Sequence, residues 1–220
     1  MSVPSEEAIA LQDRTESTAA TIRILAERWR SAGALLPAFP LLARGTPLAI
    51  AGVAQSTGIP EDRIERAIRS GRCKRDADGR LTGLFGMTLT PTLQRVAIEG
   101  RIVYSCCALW AHVIPMLVGR TAKIESVDPL SRALVRLTIL PNGLQAVEPA
   151  GAAATLTHVT REAVAADVGA VFCSQVRHFV SQDSAGRFAG QNPARTVVTL
   201  TELQRAAEDL YRAIREASAP

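Results

Sequence analysis

Three cysteines have the residue type and spacing to act together: the adjacent Cys106 and Cys107, and Cys173, which lies 66 positions after Cys107. Thiolate sulfur binds soft metal ions far better than oxygen ligands do. The apolar stretch after Cys107 is typical of a buried helix, which would place Cys107 at a helix N-terminus, where the helix dipole and free N–H groups stabilise a thiolate. The set is chemically able to form a soft-metal site or to supply a nucleophilic thiol. From spacing alone, however, simple filling of the core by the two adjacent cysteines is the favoured interpretation.

The other potential metal ligands show no such pattern. Cys73 lies in the basic segment 72–75 and is predicted to be exposed and without a role. The chain has no pair of CxxC motifs, so a closed structural zinc site is not predicted. The three histidines are scattered along the chain and are interpreted as ordinary surface or hydrogen-bonded side chains: His112, His158 and His178.

Composition indicates a globular protein rather than a membrane or nucleic-acid-binding one. Of its 220 residues, 47% are hydrophobic and 21% charged, which is enough apolar material for a core. The net charge of +4 is mildly basic, well short of a dedicated nucleic-acid binder. The N-terminus lacks the apolar region of a signal peptide, and no run approaches the roughly 18 apolar residues of a membrane span. A cytoplasmic location is therefore predicted, where thiols stay reduced.

Hydrophobic periodicity predicts helices in the first third and on either side of the cysteines. Residues 6–35 have a helical pattern, and 48–58 followed by 61–70 resembles a helix-turn-helix. Residues 106–118 form the apolar helix, perturbed at Pro115 and ended by Gly119. Further helices are predicted over 162–173 and from Thr201, the expected N-cap, with a stripe that lies along one face: Leu203, Ala207, Leu210 and Ile214.

Alternating runs predict antiparallel strands between these helices. The segments LFGMTL (84–89) and RVAIEGRIVY (95–104) are interpreted as strands, and the first of the two hairpins resembles the wing of a winged helix. More strands are expected over 121–160, with a turn at 141–143, and at SQVRHFVS (174–181). The predicted fold is α+β: a helical, winged-helix-like domain over 1–80, then an antiparallel-sheet core with flanking helices over 81–220.

Four peptides together resemble the organomercurial (alkylmercury) lyase family. They are DADGRLTGLFGMTLTPT (76–92), RIVYSCCALWAHVIPMLVGRTAKIES (101–126), LQAVEPAG (144–151) and VFCSQVRHFVS (171–181). They follow the family's order and spacing, and the resemblance extends over roughly residues 35–181. It implies that Cys107 and Cys173 are the thiols that bind mercury and weaken its bond to carbon.

The resemblance fails at one position of the family's chemistry. The family's proton-transferring aspartate lies three residues after the first cysteine, where this chain has Trp110, and Cys106 replaces a common tryptophan. An indole N–H only donates a hydrogen bond and cannot accept and return a proton. Either Cys106 or a water supplies the proton, or the scaffold has diverged and Trp110 forms an apolar wall or core packing. If only the carboxylate is missing, Trp110→Asp should raise the cleavage rate.

Thiolate-dependent protonolysis of a carbon–mercury bond, giving a hydrocarbon and Hg(II), is the function that the resemblance implies. The alternatives are a different organic substrate for the same thiols, or a soft-metal-binding protein without turnover. No cofactor is predicted; the partners are a small organic or organometallic substrate and a mercuric reductase that receives Hg(II). DNA binding is disfavoured, because residues 61–80 hold seven basic side chains against five acidic ones.

Overall fold

The computed structural model describes residues 6–216, and the first third of that range is helical. A long helix is followed by a 3-10 segment over Arg30–Ala38. The helices of this region are α1 (Glu6–Trp29), α2 (Phe39–Leu42), α3 (Ile50–Thr57) and α4 (Glu61–Arg69). Gly58 ends α3 in the left-handed conformation, with φ 71°. Pro60 directly precedes α4.

A single large sheet forms the centre of the molecule. It has eight strands in the order β1-β2-β3-β5-β4-β6-β7-β8, and all neighbours are antiparallel. The strands are β1 (Cys73–Arg75), β2 (Leu81–Leu84), β3 (Met87–Thr88), β4 (Gln94–Ile98), β5 (Arg101–Ser105), β6 (Ala122–Val127), β7 (Leu134–Leu140) and β8 (Gly143–Glu148). The predicted antiparallel α+β class is confirmed.

A second, three-stranded sheet accompanies the remaining helices. Its order is β10-β9-β11, formed by His178–Phe179, Ala153–Thr157 and Arg195–Thr199 respectively. A π-helical turn over Gly169–Cys173 follows α6, and Cys173 is the last residue of this turn. The helices are α5 (Ala108–Val118), α6 (Arg161–Val168), α7 (Gln182–Ala189) and α8 (Leu200–Glu216).

The hairpin of β4 and β5 leads directly to the cysteine pair. Ile98 pairs with Arg101 across a two-residue loop, Glu99–Gly100, in which both residues have positive φ (48° and 77°). That is the conformation that closes tight hairpins with the twist of the flanking strands. The hairpin therefore fixes the register of β5, which ends at Ser105, one residue before Cys106.

Helix α5 is the buried axis of the fold. Every residue from 108 to 117 is buried, as expected of a helix that is apolar on all sides. It packs against β3, β4, β5 and β7 on one side and against α8 on another, and α8 packs in turn on α1. Cys107, in an extended conformation, directly precedes the helix, and Gly119 ends it with φ 68°.

Three sequence predictions of local structure need correction. LFGMTL is not one strand but a turn between β2 and β3, because Phe85 has φ 51° and reverses the chain. SQVRHFVS contributes only two strand residues. The cap of α8 is Thr199 rather than Thr201: its hydroxyl accepts from Glu202 N–H (3.1 Å), and the Glu202 carboxylate accepts from Thr199 N–H (2.7 Å). Helix α7 and strand β11 were not predicted.

The main buried core is continuous across the predicted domain boundary. Its members extend from Ile22 in α1 to Ile214 in α8 and include residues on both sides of position 80. The division at residue 80 and the winged-helix likeness of the segment before it stay predictions. Among residues 6–216 no helix is both long and apolar enough to cross a membrane.

Candidate active site

The three cysteines predicted from spacing come together in the structure. The Sγ atoms of Cys106, Cys107 and Cys173 all lie within 4.8 Å of one another, and those of Cys106 and Cys173 are 3.5 Å apart. Cys107 is fully buried, whereas Cys106 and Cys173 are half-buried. We call these three residues the thiol cluster. Among the described residues it contains no carboxylate and no histidine as a further member.

Backbone hydrogen bonds hold the two cysteine-bearing segments in place. Cys106 N–H donates to Gly86 O (2.9 Å), and the Ser105 hydroxyl donates to Cys107 O (2.7 Å). Ala108 N–H, the first of α5, donates to Val176 O (3.0 Å), three residues beyond Cys173. This last bond ties the start of α5 to the segment that carries the third thiol.

The cluster holds its protons unequally. Burial opposes a negative charge on Cys107. Hydrogen bonds from Cys106, Cys173 and the backbone N–H of Trp110, together with the charge of Arg177, outweigh burial and hold the pKa of Cys107 well below its usual value. The pKa of Cys106 is raised, mainly because its thiol donates to Cys107. For Cys173 the hydrogen bond with Cys106 lowers the pKa, but donation to Cys107 and burial outweigh this effect, so the pKa of Cys173 is raised overall. Within the cluster, loss of a proton is therefore favoured at Cys107 over Cys106 and Cys173.

Arg177 is a site residue that sequence reasoning missed. Its Nε donates to Ser174 O (3.1 Å), and its Nη1 lies 3.5 Å from Cys106 O and 3.4 Å from the Gln94 amide oxygen. The guanidinium charge helps to lower the pKa of Cys107 and partly opposes the rise in the pKa of Cys173. Its position four residues after Cys173, inside a family-like peptide, was the available signal.

Trp110 is part of an aromatic cluster in the core. Its ring lies edge-on to Trp29, with centroids 5.0 Å apart, and is stacked near Phe39 (6.4 Å) and Phe85 (6.5 Å). The side chain is fully buried, and its Nε1 has no hydrogen-bond partner in the described part of the chain. A Cβ on Gly86 would lie 2.0 Å from Trp110 Cγ, so the turn at Gly86 needs glycine to admit the indole.

The prediction that Cys73 is exposed is wrong. The residue is only 3% exposed, and burial raises the pKa of its thiol to about 12. Strand β1 turns this side chain into the core, while its neighbours Lys74 and Arg75 are exposed. Cys73 lies outside the thiol cluster.

Two of the scattered histidines form a buried pair beside α8. His112 Nε2 and His178 Nε2 are 3.2 Å apart, and His112 Nδ1 is 2.8 Å from the Gln204 amide oxygen. The Gln204 amide nitrogen donates to Glu208 (3.0 Å), which fixes the oxygen toward His112. His112 therefore donates through Nδ1 and accepts from His178 at Nε2. The third histidine, His158, is hydrogen-bonded to the Thr196 hydroxyl instead (2.8 Å).

We expect this pair to destabilise the protein in mild acid. Burial lowers the pKa of His112 to about 4 and holds that of His178 well below its usual value, so the unfolded chain binds protons near pH 6.5 that the folded chain does not bind. Stability is therefore full above about pH 6.5 and falls by about 1.4 kcal/mol per pH unit per histidine below it. Urea unfolding at about pH 7 and about pH 5 measures the loss. His112→Gln should remove about half of it and the control His158→Gln little; equal losses in all three proteins would contradict the assignment.

Comparison with known proteins identifies a family to which this chain is similar. The family model for MerB, alkylmercury lyase, matches residues 87–212. The chain is 30% identical over 185 residues to the alkylmercury lyase of Streptomyces lividans, which covers 84% of each protein. It is 32% identical over 167 residues to that of Staphylococcus epidermidis, which covers 76% of each. The fold matches the crystal structure of the mercury-bound form of MerB2 with a TM-score of 0.64 and 16% identity, over 84% of this chain and 98% of that one.

The family model spans more than half of the chain and includes all three members of the thiol cluster. The sequence relatives extend the similarity over three quarters or more of its length. This chain therefore belongs to the alkylmercury lyase family of enzymes.

Proposed function

We propose that this protein cleaves the carbon–mercury bond of organomercurials by protonolysis, with Cys107 and Cys173 as the reactive pair. The observation that carries the proposal is the group of three Sγ atoms within 4.8 Å of one another, in which the surroundings hold the pKa of the buried Cys107 well below its usual value. A thiolate is the form of cysteine that attacks soft metal ions, and neighbouring thiols provide both a second sulfur ligand and a proton.

The proposed reaction balances with the groups at hand. The Cys107 thiolate bonds to the mercury of R–Hg–X and displaces X⁻. The Cys173 sulfur then adds to mercury as its proton is lost, and the Hg–C electron pair takes up one proton to give R–H. Hg(II) stays on the two sulfurs. No electron is gained or lost overall, and the thiols of the cluster hold the proton that carbon needs.

The missing family carboxylate argues for a thiol as the proton source. Trp110 cannot transfer a proton, and the thiol cluster contains no carboxylate among the described residues. Cys106 and Cys173 each hold a proton at neutral pH, because donation to Cys107 raises the pKa of both. Cys106 or Cys173 is therefore the proposed proton donor in place of the family's usual acid.

Phenylmercury provides the direct test. We expect benzene in the headspace, by gas chromatography, and one Hg(II) per chain by mass spectrometry. The Cys73→Ala variant, which keeps the thiol cluster, is the matched control and should behave as the wild type. Intact phenylmercury on the protein with no benzene would reject lyase activity and favour a soft-metal-binding protein.

For its setting, we propose a cytoplasmic enzyme that passes Hg(II) to a mercuric reductase. The half-buried Cys106 and Cys173 support this, because an incoming thiol can reach them although Cys107 is sealed. The handover predicts that a mercuric reductase empties the loaded protein faster than free glutathione does at equal thiol concentration; equal rates would argue against it. The mixed charges of 61–80, paired as Asp62–Arg66 and Asp76–Arg80, do not favour DNA as a partner.

A further inference from the structure

We propose that Cys106 is a third sulfur ligand, so that the Hg(II) product is held by a three-thiolate site formed by Cys106, Cys107 and Cys173. The inference rests on the proposed function for the origin of the Hg(II). It goes beyond the reactive pair, because it assigns to Cys106 a ligand position at the metal.

Sulfur spacing is the first argument. A metal ion in the plane of three thiolates, with bonds of about 2.3 Å as in zinc sites, needs sulfur–sulfur separations of about 4 Å. All three separations in the cluster are below 4.8 Å. The 3.5 Å between Cys106 and Cys173 corresponds to a sulfur–metal–sulfur angle of about 100° at that bond length. A linear two-coordinate ion would need about 4.6 Å between its two sulfurs, so Cys106 and Cys173 are too close to hold a linear ion between them.

The position of Cys106 is as firmly set as that of its neighbours. Its N–H is bonded to Gly86 O, and its carbonyl oxygen faces Arg177 Nη1 at 3.5 Å. Its side chain is half-buried and directed at the Cys173 sulfur. A cysteine that merely filled the core would not need to place its sulfur within 4.8 Å of two other sulfurs.

Charge is an independent argument. Three thiolates on Hg(II) leave a net charge of −1, which is costly in a buried site unless a cation lies nearby. Arg177 supplies that cation, since its guanidinium contacts Cys106 O and its charge acts on both Cys107 and Cys173.

The overall reaction then takes up R–Hg⁺, one thiolate and two thiols, and yields R–H, the three-thiolate complex and one proton. The Cys107 thiolate supplies the electron pair of the first Hg–S bond, and each of the other two bonds uses the pair left when a thiol loses its proton. One of the two protons ends on carbon, and the other leaves to solvent. Charge and atoms balance without any further reactant.

The test is the sulfur count around mercury. The full chain is loaded with one equivalent of HgCl₂ in buffer free of thiols and halide excess, and the coordination number is read from X-ray absorption. We expect three sulfurs in the wild type and in the control Cys73→Ala, and two in Cys106→Ala and Cys106→Ser. Loss of Hg(II) to excess glutathione should be at least about tenfold faster in the Cys106 variants, because a tethered third thiol no longer recaptures the ion.

Two sulfurs in the wild type would overturn the inference, as would three in a folded Cys106→Ala protein. Benzene release from phenylmercury, measured on the same preparations, separates this from the proposed function. Benzene with two sulfurs leaves the lyase intact and rejects only the role of Cys106. Three sulfurs without benzene reject the lyase and retain a three-thiolate Hg(II) site.

Discussion

Replacing Cys107 with serine should lower the rate of benzene release from phenylmercury by at least about a thousandfold, as removal of a nucleophile that acts in concert with its neighbours does elsewhere. Serine keeps the size of the side chain, but its hydroxyl is a hard, weakly acidic ligand where the cluster needs a soft thiolate. Cys107 also receives hydrogen bonds from both other thiols, so its loss removes the anion around which the site is organised.

Cys173→Ser should cause a loss of similar size for a different reason. The Cys107 thiolate remains and still captures phenylmercury, but the second sulfur that weakens the Hg–C bond is gone. Mass spectrometry should therefore find intact phenylmercury on this variant, whereas Cys107→Ser should retain less of it. Near-wild-type turnover in either variant would refute the thiol-pair mechanism. Cys73→Ala, a buried cysteine outside the cluster, shows whether loss of any thiol is harmful.

Trp110→Asp should strongly destabilise the folded protein rather than improve catalysis. The indole is fully buried against Trp29, Phe39 and Phe85. Removing such a ring costs about 3–5 kcal/mol, and the carboxylate would enter an apolar site without a partner. We expect the free energy of unfolding to fall by at least about 4 kcal/mol, a large part of the 5–15 kcal/mol that a typical domain has.

Urea denaturation measures this loss, and Trp110→Phe is the matched control because it keeps an aromatic ring in the cluster. The sequence alone favoured a gain in cleavage from Trp110→Asp, since it showed the missing carboxylate but not the aromatic surroundings. A Trp110→Asp protein of wild-type stability that released benzene faster would restore that first prediction. It would also mean that the aromatic cluster tolerates a charge.

The features that sequence predicted best are those with a strong local signal. Helix α8 has an apolar stripe at helical spacing, and Leu203, Ala207, Leu210 and Ile214 are all buried. The helix after Cys107 and the Glu99–Gly100 hairpin follow from an apolar run and a turn pair. Cys107 and Cys173 were predicted as a pair because they lie in the family-like peptides, whereas the position of Cys106 beside them is seen only in the structure.

The features that it missed depend on contacts between distant segments. Helix α7 is short, and it is held by Ser184, whose hydroxyl donates to the buried Asp128 carboxylate (2.8 Å), 56 positions earlier in the chain. The His112–His178 pair joins residues 66 positions apart. Cys73 was placed outside because its neighbours are basic, although alternation along a strand sends adjacent side chains to opposite faces. None of these pairings leaves a periodic trace in the sequence.

The hydrogen bond from Ala108 to Val176 joins the start of α5 to the segment that carries Cys173, and it exists only in the folded chain. In an unfolded chain Cys173 is a distant thiol, so the three-sulfur site is not assembled. Mercury that prefers the assembled site must therefore shift the folding equilibrium by mass action, since a ligand that binds the native state alone stabilises it. An excess of the toxic metal denatures proteins that expose single thiols. The same excess would make this protein hardest to unfold.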